Sequence, residues 1–108
     1  MRFRSDPASI RGSIAPVVTP FTTDGALDHD SLRELVRWQL RQGSHGISTG
    51  GSTGEPSAQT TDERLTAITT VAQETNDTVP FLPATGAAHL QDTLHLTDHA
   101  DRHGADAA

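Results

Sequence analysis

The sequence predicts an α/β fold, a partial (β/α)8 TIM barrel made of the first three βα units and the start of strand 4. Short β-branched apolar runs alternate with amphipathic helical stretches. The apolar runs begin near residues 14, 46 and 79, a spacing that matches repeated βαβ units on a parallel sheet. The 108 residues fall well short of the about 250 that a closed eight-fold barrel needs. The chain therefore reads as a truncated, N-terminal portion of a larger protein, since an open three-stranded sheet would leave unprotected edges.

Residues 1–12 form a polar lead without the apolar centre of a signal peptide. The barrel portion is expected over residues 13–108. The first strand is read from Ile14–Thr19, IAPVVT, although Pro16 cannot donate to a ladder. Pro20 ends the run, and Thr22–Gly25 carries turn residues. The first helix is predicted over Asp28–Gln42, with Leu32, Leu35, Val36 and Leu40 along one face. Asp28 or Asp30 is placed to accept the free N–H groups at its start, and Gly43 to end it. Trp38 lies off that stripe and reads as a partly exposed packing residue.

The second strand is read from His45–Gly50 and leads into Gly51-Ser52-Thr53-Gly54-Glu55. Thr60 and Glu63 have the spacing of a capping box. The helix they open runs to about Glu74, with Leu65, Ile68, Val71 and Ala72 on its inner side. Val79–Pro83, VPFLP, is the third strand, shortened by its prolines. Ala84–Ala87 is a loop of small residues, and His89–His103 is the third helix. Ala105–Ala108 would approach a fourth strand.

Composition excludes several classes of function. The eight basic residues are all Arg, they form no dense run, and the formal charge is −6, so a nucleic-acid backbone is not an expected partner. The absence of Cys removes disulfides, thiol nucleophiles and cysteine metal sites. No run reaches the about 18 apolar residues of a membrane span. A cytoplasmic location is the default.

The strongest local signal is Gly50-Gly51-Ser52-Thr53-Gly54-Glu55, after a strand and before a helix. In a parallel α/β protein this is the carboxyl end of the sheet, where sites form. Gly51 and Gly54 let backbone N–H groups converge on an anion, and Ser52 and Thr53 add hydroxyls. A seat for a carboxylate is one reading; a tight loop with helix caps is the other. With no Lys the loop is not a nucleotide P-loop. Glu55 would repel a bound carboxylate, so its expected role is to hold the loop by accepting backbone N–H groups or an Arg. Thr85-Gly86 occupies the equivalent place after the third strand and could line the same cavity. Thr19, after the first strand, either lines the barrel mouth or simply ends the strand. His95, His99 and His103 are four apart and read as a polar outer face rather than a metal site. Neither a metal nor a cofactor is expected.

Taken in order, Gly12-Ser13-Ile14, Val18-Thr19-Pro20-Phe21, Leu27-Asp28, Ser31-Leu32, Leu35-Val36, the Gly50–Glu55 loop, Leu65 and Thr85-Gly86 resemble the N-terminal part of the dihydrodipicolinate synthase and N-acetylneuraminate lyase family. The resemblance covers about residues 10–108. It implies a (β/α)8 barrel, commonly tetrameric. Such an enzyme condenses or releases pyruvate, or a 2-oxo acid that yields it, as a Schiff base on a lysine of a later strand. A tyrosine between this region and that lysine shuttles protons. By the same resemblance Ser52 and Thr53 grip the pyruvyl carboxylate, and the Ser52 hydroxyl joins the proton relay, where the synthase branch usually has threonine.

This chain has no Lys and no Tyr. Imine formation needs a neutral amine, and Arg stays protonated. The fragment alone is therefore expected to be inactive. The loop wording leans toward the lyase branch and Ala84–Ala87 toward the synthase branch. A non-catalytic anion-binding or assembly module is the alternative reading.

Overall fold

The structure, a computed structural model, describes residues 2–108. Its elements are a 3-10 turn at Pro7–Ser9, strand β1 (Ile14–Pro16), helix α1 (His29–Arg41), strand β2 (Gly46–Ser48), 3-10 turns at Ser52–Gly54 and Pro56–Ala58, helix α2 (Thr61–Thr75) and helix α3 (Leu90–Arg102). β1 and β2 are parallel, with Ile14 opposite Gly46 and Pro16 opposite Ser48. The Val17 N–H extends the ladder to the Ser48 carbonyl at 3.0 Å.

The third run departs from the prediction. Instead of a strand over Val79–Pro83, a single parallel bridge joins Ile47 to Phe81. Pro80 and Pro83 have no N–H to give, so pairing falls to the groups that remain. Ile47 N–H donates to the Pro80 carbonyl at 3.0 Å, Leu82 N–H to Ile47 at 2.9 Å, and Ala84 N–H to Thr49 at 2.8 Å. On the far side Asp106 engages both backbone groups of Phe81. Its N–H donates to the Phe81 carbonyl at 2.8 Å, and its carboxylate accepts the Phe81 N–H at 3.0 Å. The stretch read as the approach to a fourth strand thus lies beside the third.

Helices α1 and α2 start where their side-chain caps dictate. Asp28 accepts the Ser31 N–H at 3.0 Å and the Ser31 hydroxyl at 2.7 Å, which satisfies a free donor of the first turn of α1. These bonds hold the Asp28 carboxyl below its ordinary pKa. The capping box of α2 is complete: Glu63 N–H donates to the Thr60 hydroxyl at 3.1 Å, and Thr60 N–H to the Glu63 carboxylate at 2.9 Å. Asn76, with φ +44°, ends α2 in the left-handed conformation.

All three helices cover one face of the sheet. Val17, Ile47 and Phe81 from the strand runs pack with Leu32, Val36, Ile68, Val71, Leu96 and Ala100 from the helices. Burial of each large apolar side chain contributes roughly 1.5–3 kcal/mol. Strand side chains alternate between faces, so Pro16, Val18 and Leu82 point the other way. That face is uncovered, and Val18 is 50% exposed. Parallel sheets are ordinarily covered on both sides.

Two electrostatic ties brace the assembly. Glu74 on α2 accepts from Arg37 through both oxygens, at 2.9 and 3.1 Å, and from Arg33 at 3.0 Å, which locks α1 to α2. The polar lead folds back under the sheet: Phe3 N–H donates to Asp106 at 2.9 Å, and Arg4 pairs with Asp101 at 2.6 Å. Trp38 is 49% exposed on α1, as its place off the apolar stripe predicts. No helix among the described residues is long and apolar enough to cross a membrane.

Candidate functional site

The chain leaves β2 at its carboxyl end and turns at once. Gly50 has φ +75°, and a Cβ there would stand 3.1 Å from the Ala84 carbonyl oxygen. Only glycine fits that close left-handed position without strain. Gly51 uses no such freedom, with φ −76° and open space around it. Ser52–Gly54 then closes a 3-10 turn, in which Gly54 N–H donates to the Gly51 carbonyl at 2.8 Å. Ser52 and Thr53 are exposed. Their hydroxyls make no hydrogen bond with the described residues, and their N–H groups open the turn with no acceptor inside it.

What holds this loop was largely unread in the sequence. Thr19 is buried, and its hydroxyl donates to the Gly54 carbonyl at 2.7 Å. Gln59 donates its amide N–H groups to the same carbonyl at 3.0 Å and to the Thr19 hydroxyl at 3.2 Å. A Cβ on Gly54 would meet Thr19 Oγ1 at 3.3 Å, so glycine lets the loop sit close over β1. Thr19 thus does more than end the strand: it fastens the β2 loop.

Glu55 corrects an expectation. Its carboxylate is exposed and meets neither an N–H nor an Arg among the described residues. Its contribution is backbone geometry: φ +55° and ψ +56°, left-handed, immediately before Pro56. A non-glycine residue costs about 1–2 kcal/mol there, and the following proline restricts it further. Strain of this kind, where the surroundings impose it, concentrates at functional loops.

Thr85 is a second correction. It is buried, and its hydroxyl accepts from Thr97 of α3 at 2.8 Å. It faces the helix layer rather than the Ser52–Thr53 loop, because Phe81, Pro83 and Thr85 share the core-facing register. Gly86 sits elsewhere again. With Ser57, Thr61, Arg64 and Asp92 it lines a cleft of about 480 Å³ between the loops that precede α2 and α3.

Arg64, like Gln59, has a role that the sequence did not reveal. Its guanidinium donates to the Gly86 carbonyl at 3.0 Å and the Ala84 carbonyl at 3.1 Å. The residue is only 7% exposed. Burial pushes its pKa below the ordinary value, and the Asp92 carboxylate opposes that shift. The available signal was a charge four residues before Ile68 and seven before Val71, on the inner stripe of α2.

The histidines of α3 do not all form a polar outer face. His99 is half-buried, bonds the Thr69 hydroxyl of α2 at 2.8 Å and stacks on His103 with ring centres 3.9 Å apart. Burial, with His103 nearby, pushes its pKa below the ordinary value. Among the described residues no group of three or more His, Cys, Asp or Glu is arranged to hold a metal ion.

The order of strands and helices is shared with known proteins. The sequence pattern of the dihydrodipicolinate synthetase family matches residues 9–108. The chain belongs to this family. A 4-hydroxy-tetrahydrodipicolinate synthase from Thermus thermophilus is 49% identical over 98 residues, which are 91% of this chain and 32% of that protein. The dihydrodipicolinate synthase of Acinetobacter baumannii, solved in complex with pyruvate, superposes with a TM-score of 0.84 at 37% identity, over 91% of this chain and 34% of that one. The N-acetylneuraminate lyase of Mycoplasma synoviae gives a TM-score of 0.87 at 26% identity, over 90% of this chain and 34% of that one. The chain therefore spans about a third of the length of the dihydrodipicolinate synthetase family members it matches. It is a partial α/β unit, similar in fold to a portion of the family's barrel. Both branches named from the sequence occur among its structural relatives.

Proposed function

We propose that this chain supplies the first three βα units and the start of the fourth strand of a pyruvate-dependent lyase, working through a Schiff base as a (β/α)8 barrel. The observation that carries the reading is the Ser52–Thr53 turn at the carboxyl end of β2. Its hydroxyls are exposed and unengaged, while Thr19 and Gln59 fix the backbone beneath it. Two such hydroxyls and the N–H groups beside them suit a carboxylate. Ser52 grips the pyruvyl carboxylate and passes a proton to a tyrosine; Thr53 completes the seat. Gly51, Gly54, Glu55 and Thr19 shape the loop, and Thr85 and Gly86 steady its neighbour.

The amine that forms the imine and the tyrosine that relays protons come from the remaining two-thirds of the barrel, since this chain contains neither Lys nor Tyr. The same portion covers the bare sheet face around Val18. The substrate is pyruvate or a 2-oxo acid that yields it, the complete enzyme is a cytoplasmic homo-tetramer, and dihydrodipicolinate synthesis is the best-supported activity, given the 49% identity to the Thermus thermophilus synthase. Alone, the 108 residues bind weakly and catalyse nothing.

Borohydride trapping tests this reading. The isolated chain should incorporate no labelled pyruvate. The same chain joined to the segment of the Thermus thermophilus synthase that follows the matched region should incorporate about one pyruvate per protomer, in line with one imine-forming lysine. Trapping by the isolated chain, or none by the folded chimera, refutes it.

A further inference from the structure

Three buried side-chain polar atoms among the described residues lack a protein hydrogen-bond partner: Thr49 Oγ1, Gln59 Oε1 and Arg64 Nε. They come from three segments, the end of β2, the approach to α2 and α2 itself. All three residues line one small cavity, together with Gly50, Ala67, Ile68 and Ala84. Such atoms are costly singly, about 1–3 kcal/mol each, and their convergence on one cavity asks for a common cause.

We infer that a single internal water molecule sits in this cavity, bonded to Thr49, Gln59 and Arg64, and couples the Ser52–Thr53 loop to the second helix.

The size fits. The space open to the centre of a water-sized sphere is about 10 Å³, close to the minimum that holds one water and no more. The chemistry fits as well. Arg64 Nε–H can only donate, and the Gln59 carbonyl oxygen can only accept. The Gln59 amide cannot be turned round, because its NH2 group already donates to the Gly54 carbonyl at 3.0 Å. Thr49 can do either. The occupant must therefore accept from Arg64 and donate to Gln59. A metal cation cannot accept from the guanidinium, and an anion would meet the Gln59 oxygen with no proton to offer. Water does both, and three bonds are its usual complement in a protein interior.

The position gives this water a consequence. It holds the oxygen end of the Gln59 amide, while the nitrogen end holds Gly54 and Thr19. It also meets Arg64, whose other nitrogens hold Ala84 and Gly86. The loop after β2 and the loop after Phe81 are thereby tied through one solvent molecule. Gln59 and Arg64 act as positioning residues, and the inference stands whether or not the chain belongs to a working aldolase.

Water–protein cross-relaxation NMR on the 15N-labelled chain tests it. Arg64 Nε–H should show a cross-peak to water with the sign of a long-lived, slowly tumbling contact. Thr49→Val keeps the shape and removes one partner, and should abolish that peak or weaken it several-fold; Thr49→Ser keeps the hydroxyl and should retain it. Absence of the peak in the parent chain overturns the inference, as does a peak of undiminished strength in folded Thr49→Val. Should the valine variant fail to fold, Gln59→Met serves in its place, with the same expected loss and the same overturning result.

Discussion

Arg64 reaches from α2 to the carbonyl oxygen of Gly86, 3.0 Å away, and pins the loop after the third run to the helix that follows the second. A second bond goes to Ala84 at 3.1 Å. Arg64→Ala strips two part-buried carbonyls of a charged donor and should cost about 2–4 kcal/mol, the range for charge-assisted bonds plus acceptors left unpaired. Arg64→Lys keeps the charge but not the fork that serves two carbonyls, so it should recover less than half of the loss. Urea midpoints of the three proteins check both expectations. Equal stability of Arg64→Ala and the parent would mean that the bonds are idle.

Glu55 stores strain in its left-handed backbone before Pro56. Glu55→Asn should be neutral or slightly stabilising, because Asn visits this region more readily. Glu55→Val should lose about 1–2 kcal/mol, since a β-branched residue tolerates positive φ least. Thermal unfolding of the two variants separates backbone strain from the lost carboxylate, which both lack. If they unfold at the same temperature, the strain account fails.

In the complete barrel, Ser52 and Thr53 should separate kinetically. Ser52→Ala removes the relay hydroxyl and should lower kcat by about 10²-fold, the low end for positioned proton transfer. Thr53→Ala removes a contact to the carboxylate that is present before and during the reaction. It should mainly raise KM for pyruvate, with kcat changed by less than about threefold. Steady-state kinetics of the chimera with the Thermus thermophilus segment provide the comparison. The opposite pattern would exchange the two roles.

The sequence carried the helices well because their signals are local. Asp28 and the Thr60–Glu63 box mark the starts within a residue, and Leu32, Val36, Ile68 and Val71 of the expected apolar stripes are buried, with Leu35, Leu40, Leu65 and Ala72 partly so. The third strand was less legible. A β-propensity pattern in VPFLP does not reveal which N–H groups the prolines remove until the neighbour's register is known. The presence of a tight turn at Ser52–Gly54 was readable from its composition. The parts played by Gln59 and Arg64 were hidden, because they depend on partners 20 to 40 residues away. The face that Thr85 takes is hidden for a related reason: its place after the strand run is plain, but only the register decides that it turns toward Thr97 of α3.

Glu74 supplies the pH test. Its hydrogen bond with Arg37, then that with Arg33, holds its carboxyl below the ordinary 4.5, against the opposing effect of burial. A carboxyl depressed in the folded state binds fewer protons there than in the unfolded chain, so stability rises with pH across the interval between the two values. The contribution is fully present above the unfolded value of 4.5 and is lost as pH falls through the folded one. Glu74→Gln keeps the shape and cannot titrate. It should lower stability near neutral pH by about 1 kcal/mol, a small figure because the pair is partly screened by solvent. The gap between parent and variant should close from about pH 5 downward. Asp28 is also held low, but its acid loss is common to both proteins and cancels in the difference. Urea denaturation of each at several pH values measures that gap. A gap that persists unchanged into acid would show that the lost stability comes from α1–α2 packing and not from the charge on Glu74.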